Sequence, residues 1–341
     1  MATTETATQR PTVSVIVPAR NEEVSLRDCL HSLVSQSGLK FEVIVVDDHS
    51  TDHTHKIASS FPGVRVIEAA PLLAGWTGKN NAVTTGARAA LGDWLLFTDA
   101  DTVHLPGSLA RALAEVREHG AELLSYSPEQ IAVTFWEMAT LPPIFAELAR
   151  QYPPSKVSDP ASLLAAANGQ YIFVRREAYE AVGGHAAVAG DILEDVALAR
   201  ALKRSGRKLR FRYAADAVRT RMYRNFRQLR EGWTKNLALL FPTPGWLAVK
   251  SLALWVILWI TFFLPRAMVW RIGAFVLSLL YVAMRLKRAN FSWDRNILAA
   301  LFGMPMFAYL LLRSKRAHAN GSVTWKGRKY SEKVDLLATG H

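Results

Sequence analysis

Cysteine is almost missing from this chain: Cys29 stands alone among 341 residues. An intramolecular disulfide is therefore impossible, and a cysteine-rich metal site is excluded. The usage fits a reducing compartment. Met1 to Thr12 is polar with no apolar core, so it does not read as a secretory signal, and residues 1–11 are expected to be disordered. Internal repeats and low-complexity segments are lacking as well. Acidic residues are in short supply, 29 Asp and Glu against 41 Lys and Arg, for a net charge of +12. Residues 202–235 hold twelve of those cations against Asp216 and Glu231, leaving +10 in one stretch. Such focused charge calls for a negative partner: a pyrophosphate, anionic lipid headgroups or nucleic acid.

What is present is alternation. Residues 13–18 form a short β-branched run stopped by Pro18, and an amphipathic helical stretch follows from Asn21 to Gly38. Strands are predicted at 41–46, 64–67, 93–98 and 123–126, with helices near 52–60, 80–91 and 105–120. Strands alternating with helices imply a mostly parallel sheet with right-handed crossovers, an α/β architecture. Ligands of such sheets sit beyond the carboxyl ends of the strands, and Asp47-Asp48 and Asp99-Ala100-Asp101 both fall there. The apolar stretch Ile131–Tyr152, interrupted by Pro142-Pro143, reads either as a helix on a membrane surface or capping the acceptor site, or as a buried helix pair. A strand at 170–174 and helices at 177–182 and 194–205 complete this half.

Beyond residue 245 the composition changes. Trp246–Leu264 carries one charge, Lys250, and Ala267–Met284 one, Arg271; both have the length of a bilayer span. Ile297–Leu312 has none but is short and holds Gly303 and Pro305. Residues 246–312 are thus expected to form a membrane region, and 313–341 a basic tail. The cations at 285–295 and 313–329 both belong on the cytoplasmic side by the positive-inside rule. Two full spans plus a re-entrant or interfacial third segment satisfy that.

Several residue groups can carry chemistry. Asp99 and Asp101, two apart after an apolar strand, offer hard oxygen ligands for one Mg²⁺ or Mn²⁺, which would neutralise charge on a diphosphate leaving group. Alone, such a triplet is equally a solvated loop. Asp47 or Asp48 can accept a hydrogen bond from a base or ribose; Asp52, and Asp47 as well, can instead shape an Asx turn or cap a helix. Gly75-Trp76-Thr77-Gly78-Lys79-Asn80 is no phosphate-cradling P-loop, its glycines being too close, yet Lys79 at a helix start can meet a phosphate. Glu194-Asp195 opens a helix, where an acid serves either as general base or as a dipole partner. Arg227 and Arg230 can clamp a diphosphate or attract anionic lipid.

Taken in order, these pieces resemble the family 2 glycosyltransferases. The resemblance covers roughly residues 12–240 and rests on Val13–Glu22, Val45–Asp52, Asp99-Ala100-Asp101 and Glu194-Asp195. It implies a GT-A fold, Rossmann-like, with C-terminal transmembrane helices. It implies Ala19, Glu22, Asp47 and Asp48 around the base and ribose and Lys79 near the phosphates. Asp99 would approach ribose or metal, Asp101 would bind metal, and Arg227 and Arg230 would touch the nucleotide-sugar. Asp195 would be the catalytic base supported by Glu194, in one inverting displacement. The loop 75–80 and Val323–Arg328 look like segments of membrane members that glycosylate lipids, of hopanoid-associated and carotenoid type, with ceramide glucosyltransferases related in layout. Processive synthases carry Gln-x-x-Arg-Trp; here Arg230 is followed by Glu231-Gly232 before Trp233, which points to single-sugar transfer.

The expectation is therefore a cell-membrane enzyme with a cytoplasmic catalytic domain, a nucleotide-sugar donor (a UDP-sugar first) and a lipid acceptor hydroxyl. A polyprenyl-phosphate acceptor is the alternative, and a non-catalytic membrane or nucleic-acid-binding protein a remote one. Nucleic acid is not an expected partner, because it would leave the acidic strand ends without a role.

Overall fold

A computed structural model describes residues 10–263, 267–287, 291–325 and 327–330. Residues 1–9 of the stretch expected to be disordered, and residues 331–341 of the basic tail, lie outside the described residues. The elements, in chain order, begin with β1 (Val13–Ala19), α1 (Leu26–Val34), β2 (Phe41–Asp47), α2 (Thr54–Ser59), β3 (Val64–Glu68), α3 (Gly78–Ala89), β4 (Trp94–Phe97) and β5 (Thr102–His104). Next come α4 (Ser108–His119), β6 (Leu123–Ser127), β7 (Glu129–Gln130), α5 (Phe135–Gln151), α6 (Pro154–Ser158), β8 (Ile172–Arg175), α7 (Arg176–Ala181), α8 (Glu194–Arg204), β9 (Leu209–Tyr213) and β10 (Val218–Thr220). The chain ends with α9 (Phe226–Leu240), α10 (Pro244–Ile260), α11 (Met268–Leu286), α12 (Trp293–Leu298), α13 (Met304–Ala319) and the hairpin β11 (Val323–Trp325) and β12 (Arg328–Tyr330). Contacts divide it into two units: residues 1–129 with 154–220, and residues 130–153 with 221–341.

The first unit is built on a seven-stranded sheet in the order β3-β2-β1-β4-β8-β6-β9. All its pairings are parallel except those of β8, which runs against both β4 and β6. The period of two in β1 decides its packing. Val13, Val15 and Val17 enter one core with Leu26 and Leu30 of α1 and Leu109 of α4. Ile16 points the other way, to Ala82 and Val83 of α3 and Leu198 of α8. Both faces are covered, as parallel strands require. The order reverses at β1: β2 and β3 lie to one side and β4 to the other. That is a topological switch point, where the loops leaving adjacent strands diverge and open a crevice.

The second unit is helical, and its prolines have structural answers. Pro142 and Pro143 do not split the 131–152 stretch into two helices; both lie inside the single helix α5. Pro143 has no N–H for the carbonyl of Ala139 four residues earlier. Gly303 packs against that carbonyl: a Cβ there would stand 1.9 Å from the Ala139 oxygen. Gly303 closes a π-helical turn, Ala299–Gly303, that leads into α13. Pro305 likewise leaves the Leu301 carbonyl without its helical donor, and the Trp255 indole N–H of α10 donates to it at 2.7 Å.

These repairs correct the sequence-based reading of the spans. Among the described residues the helices long and apolar enough to cross a membrane are Met268–Leu286 and the 27-residue run Trp293–Ala319, judged by length and composition. The third apolar stretch is not cut short by Gly303 and Pro305, because the π turn absorbs them. The first forms only α10, 17 residues long, which qualifies only jointly with α9 across a 112° bend.

Gly303→Ala is expected to lower the melting temperature of the detergent-solubilised protein by several degrees, since over-packing costs about 1–3 kcal/mol. Gly273→Ala in α11, with nothing within 4 Å of the new methyl, is the control and should leave melting unchanged or raise it.

Candidate active site

Two cross-tied loops form one side of the rim. The chain leaves β1 at Ala19 and β2 at Asp47, residues that are paired in register. Asp48 donates its N–H to the Ala19 carbonyl at 2.8 Å, and Arg20 Nη1 donates to the Asp48 carbonyl at 2.7 Å. Asn21 Oδ1 accepts the Thr51 N–H at 2.9 Å, and the Glu22 N–H donates to Thr54 Oγ1 at 2.7 Å. Asp47 Oδ1 accepts the Ser50 N–H at 3.1 Å, and its Oδ2 lies 3.2 Å from His55 Nδ1. Asn21 and His49 hold φ of 52° and 54°, a left-handed conformation that non-glycine residues adopt at a cost, one on each loop. Asp47 and Asp48 are buried, and the Asx turn of this loop is made by Asp52, whose Oδ1 accepts the Thr54 N–H two residues on at 2.9 Å, while Asp47 reaches three residues on.

Asp99 and Asp101 follow β4 and precede β5. Their loop is fixed from beneath. Thr98 Oγ1 donates to the Gln170 carbonyl at 2.8 Å, and Thr220 Oγ1 donates to the Asp101 carbonyl at 3.2 Å. Cys29 lies under the same loop, its Sγ 3.8 Å from the Asp99 carbonyl. Burial pushes the Cys29 thiol far up, and the anions of Asp101, Glu22 and Asp99 add to it, so this thiol stays protonated and inert.

The centre of the site is an ion cluster that draws residues from three distant segments. Lys79 Nζ is 2.7 Å from Asp99 Oδ1 and 2.7 Å from Glu194 Oε1. Asp195 Oδ2 accepts the Gly169 N–H at 2.8 Å. Burial disfavours the Lys79 charge, but Asp99 and Glu194 outweigh it and hold its pKa well above the usual lysine range. Asp195 is raised to about 6, first by burial and then by the Glu194 anion, with Lys79 pulling the other way. A carboxylate poised there can accept a proton near neutral pH.

The local sequence explains the convergence. Thr77 caps α3 by accepting the Asn80 N–H. Asn80, fully buried, donates its side-chain amide to the carbonyls of Val188 at 2.8 Å, Ala189 at 2.9 Å and Asp191 at 3.1 Å. The start of α3, with Lys79, is thereby strapped to the loop that delivers Glu194 and Asp195. Gly169 matters for what it lacks: a Cβ there would meet Lys79 Nζ at 2.9 Å and Glu194 Oε1 at 3.3 Å. Sequence reasoning missed both residues. Asn80 was in view as the residue after Lys79, but its three partners lie more than a hundred positions away.

The structure brings Lys79, Asp99, Glu194 and Asp195 together. Ala19, Glu22, Asp47 and Asp48 sit on the loops leaving the neighbouring strands. Arg227 and Arg230 lie in the first turns of α9, in the second unit, where the Arg230 guanidinium stands 5.9 Å from the Phe226 ring centre. Among the described residues no three His, Cys, Asp or Glu side chains converge to hold a metal ion. A magnesium-like ion needs fewer, since one or two carboxylates plus substrate phosphates complete its shell. Asp99 and Asp101 could provide such a hard oxygen pair, and the Lys79 ammonium lies 2.7 Å from Asp99 Oδ1, so positive charge is accommodated at that carboxylate.

Residues 14–183 match glycosyl transferase family 2. The chain belongs to that family. It is a glycosyltransferase of GT-A fold that uses a nucleotide-sugar donor. It is 28% identical over 350 residues to the 4,4'-diaponeurosporenoate glycosyltransferase of Staphylococcus aureus strain MRSA252, covering 94% of this chain and 88% of that protein. The same enzyme from strain USA300 is 29% identical over 337 residues with the same coverage. Among solved structures, a mannosyltransferase from Pyrobaculum calidifontis, determined with GDP-Man and Mn²⁺, superposes with a TM-score of 0.55 at 18% identity, over 91% of this chain and 87% of that one. At that identity the likeness establishes the fold.

The pH profile tests the base. With Asp195 in that role only its ionised form accepts a proton, so transfer is expected to climb about tenfold per pH unit below 6 and to level off above it; a flat profile across this range would remove the role. Lys79 holds that pKa down, so Lys79→Met should move the midpoint upward. A downward movement would contradict the electrostatic coupling of the two.

Proposed function

We infer that this enzyme transfers a single sugar from a nucleotide-sugar, a UDP-sugar first, to a hydroxyl of a membrane lipid, with inversion at the anomeric carbon. The acceptor oxygen bonds to that carbon as the bond to the donor phosphate breaks. Asp195 takes the hydroxyl proton, and the nucleoside diphosphate departs with the bonding electrons. Glu194 holds Lys79 in place and keeps negative charge beside Asp195. Asp48 and Asp47 serve the base and ribose, with Ala19 and Glu22 lining the same loops. Lys79, Arg227 and Arg230 serve the phosphates. Asp101 and Asp99 would hold a Mg²⁺ or Mn²⁺ ion, whose chemistry when bound is to neutralise charge on the leaving diphosphate.

The observation that carries this reading is the raised Asp195 carboxylate, fixed by the Gly169 N–H beside the Lys79–Glu194–Asp99 cluster. A lipid acceptor is supported by the relatives' named activity and by the two apolar helices. Residues 246–312 serve as membrane region in this proposal, with the catalytic domain and the basic segment after 312 on the cytoplasmic face of the cell membrane. The deciding experiment supplies radiolabelled nucleotide-sugars with Mn²⁺ or Mg²⁺ and membrane lipid extract to the purified protein. Label should appear in a neutral or hydroxylated lipid with inverted anomeric configuration. Label found only on added polyprenyl phosphate, or a retained configuration, would overturn the reading.

A further inference from the structure

The second unit contains a cavity of about 460 Å³ for which the transfer reaction assigns no role. It opens among α5, α10, α11 and α13. Its polar side is cationic: Arg150, Lys250 and Arg285 line it. The one carboxylate in that lining, Glu147, pairs with Arg150. Arg285 Nη1 donates to Tyr281 Oη at 3.0 Å, and its guanidinium lies 5.7 Å from that ring centre, which aims the fork toward the space Tyr281 also borders. The remaining wall is apolar, with Leu254, Met304 and Phe307.

Position along the helices fixes the depth. Lys250 is in the first half of α10 and Arg285 in the last turn of α11, and both reach the same cavity. The cavity therefore sits at one end of the α10–α11 hairpin, where the apolar run of α11 gives way to charge. Over its 19 residues α11 extends about 28 Å, close to the hydrocarbon thickness of a bilayer. A cationic pocket at the end of such a helix lies at headgroup level. Ile272, Val276, Leu277 and Leu280 are exposed along α11, an apolar track on which chains can lie.

We propose that this cavity is a binding site for the headgroup of an anionic phospholipid of the surrounding bilayer, with its phosphate on Lys250 and Arg285 and its chains along α11. Three cations against one anion select negative charge, and each basic group at a membrane surface contributes measurably to holding such a lipid. The occupant is a resident lipid, so its binding requires neither donor nor acceptor. It ties α10 to α11 through their two cations, and a ligand that binds only the folded arrangement raises its stability.

The test is native mass spectrometry of the purified, detergent-solubilised full chain, titrated separately with phosphatidylglycerol, phosphatidylcholine and sn-glycerol 3-phosphate. Wild type should retain one phosphatidylglycerol, bound roughly tenfold or more tightly than phosphatidylcholine. Glycerol phosphate should fail to displace it. Lys250→Ala with Arg285→Ala should abolish the preference, while Lys250→Arg with Arg285→Lys should keep it. Lys287→Ala, which removes one positive charge just outside the cavity as Lys250→Gln does within it, should leave the preference intact. Should the alanine pair not fold, Lys250→Gln alone must weaken retention. Equal retention of both lipids by wild type would overturn the proposal. So would a loss in Lys287→Ala equal to that in the cavity variants, and displacement by glycerol phosphate would assign the site to free phosphate instead.

Discussion

Asp195→Asn is expected to reduce transfer by about 10²- to 10⁴-fold, the range a positioned general base contributes. The substitution keeps shape and one of the two accepted hydrogen bonds; the Val196 N–H, which Asp195 Oδ1 accepts at 2.8 Å, loses its acceptor. The amide oxygen still accepts the Gly169 N–H, the contact that fixes the native carboxylate at 2.8 Å. What is lost is the capacity to take a proton. Donor affinity, measured by calorimetry, should be unchanged, because Asp195 pairs with neither Lys79 nor Asp99. Stability should change little, since neutralising Asp195 removes the penalties of burial and of the like charge of Glu194, which offsets the lost Val196 hydrogen bond. The acid limb of the residual activity should vanish with it. A variant that turns over normally would remove Asp195 from the mechanism.

The first unit was readable because its strands are short, β-branched and buried on both faces, and because each ends at a residue with distinctive chemistry. Val13–Ala19 and Phe41–Asp47 extend the expected strands by one residue each. The acidic pairs stand at the strand ends where alternation placed them. What could not be read depends on partners far along the chain. The reversed direction of β8 is fixed by pairing with β4 and β6, not by its own residues. Gly169 acts through a backbone N–H that every residue but proline carries, so no side-chain type announces it. The integrity of α5 across two prolines was hidden for the same reason: the space that receives the Ala139 carbonyl is provided by Gly303, more than 160 positions later.

Lys79 illustrates how a correct location can carry an incomplete role. A lysine at a helix start after a glycine-flanked loop was expected to meet a phosphate. In the structure it bridges Asp99 and Glu194. The two are compatible through charge balance. Two carboxylates, Asp99 and Glu194, share the Lys79 ammonium, and a third, Asp195, follows Glu194 in the chain. A diphosphate would bring further negative charge to this rim, and Lys79 alone cannot neutralise it together with the carboxylates. The balance requires more positive charge than this lysine supplies, which is the electrostatic case for a divalent ion on Asp101 and Asp99.

Asp101→Ala is the direct consequence. In the presence of Mn²⁺ its donor affinity should fall at least about 10- to 100-fold, since even partners one shell removed from a metal ion cost that much. Without metal, wild type and variant should bind the nucleotide-sugar equally weakly, so the variant's loss equals the wild type's metal dependence. The fold should persist, because the loop is held through the Asp101 backbone carbonyl by Thr220, a contact that alanine retains. Asp99→Ala should behave differently: it also deprives Lys79 of an anion 2.7 Å away, so its donor affinity should drop less if the freed ammonium turns to the phosphates. Calorimetric titration with and without Mn²⁺ separates these cases. Wild-type affinity for Asp101→Ala with Mn²⁺ present would remove the metal role from Asp101.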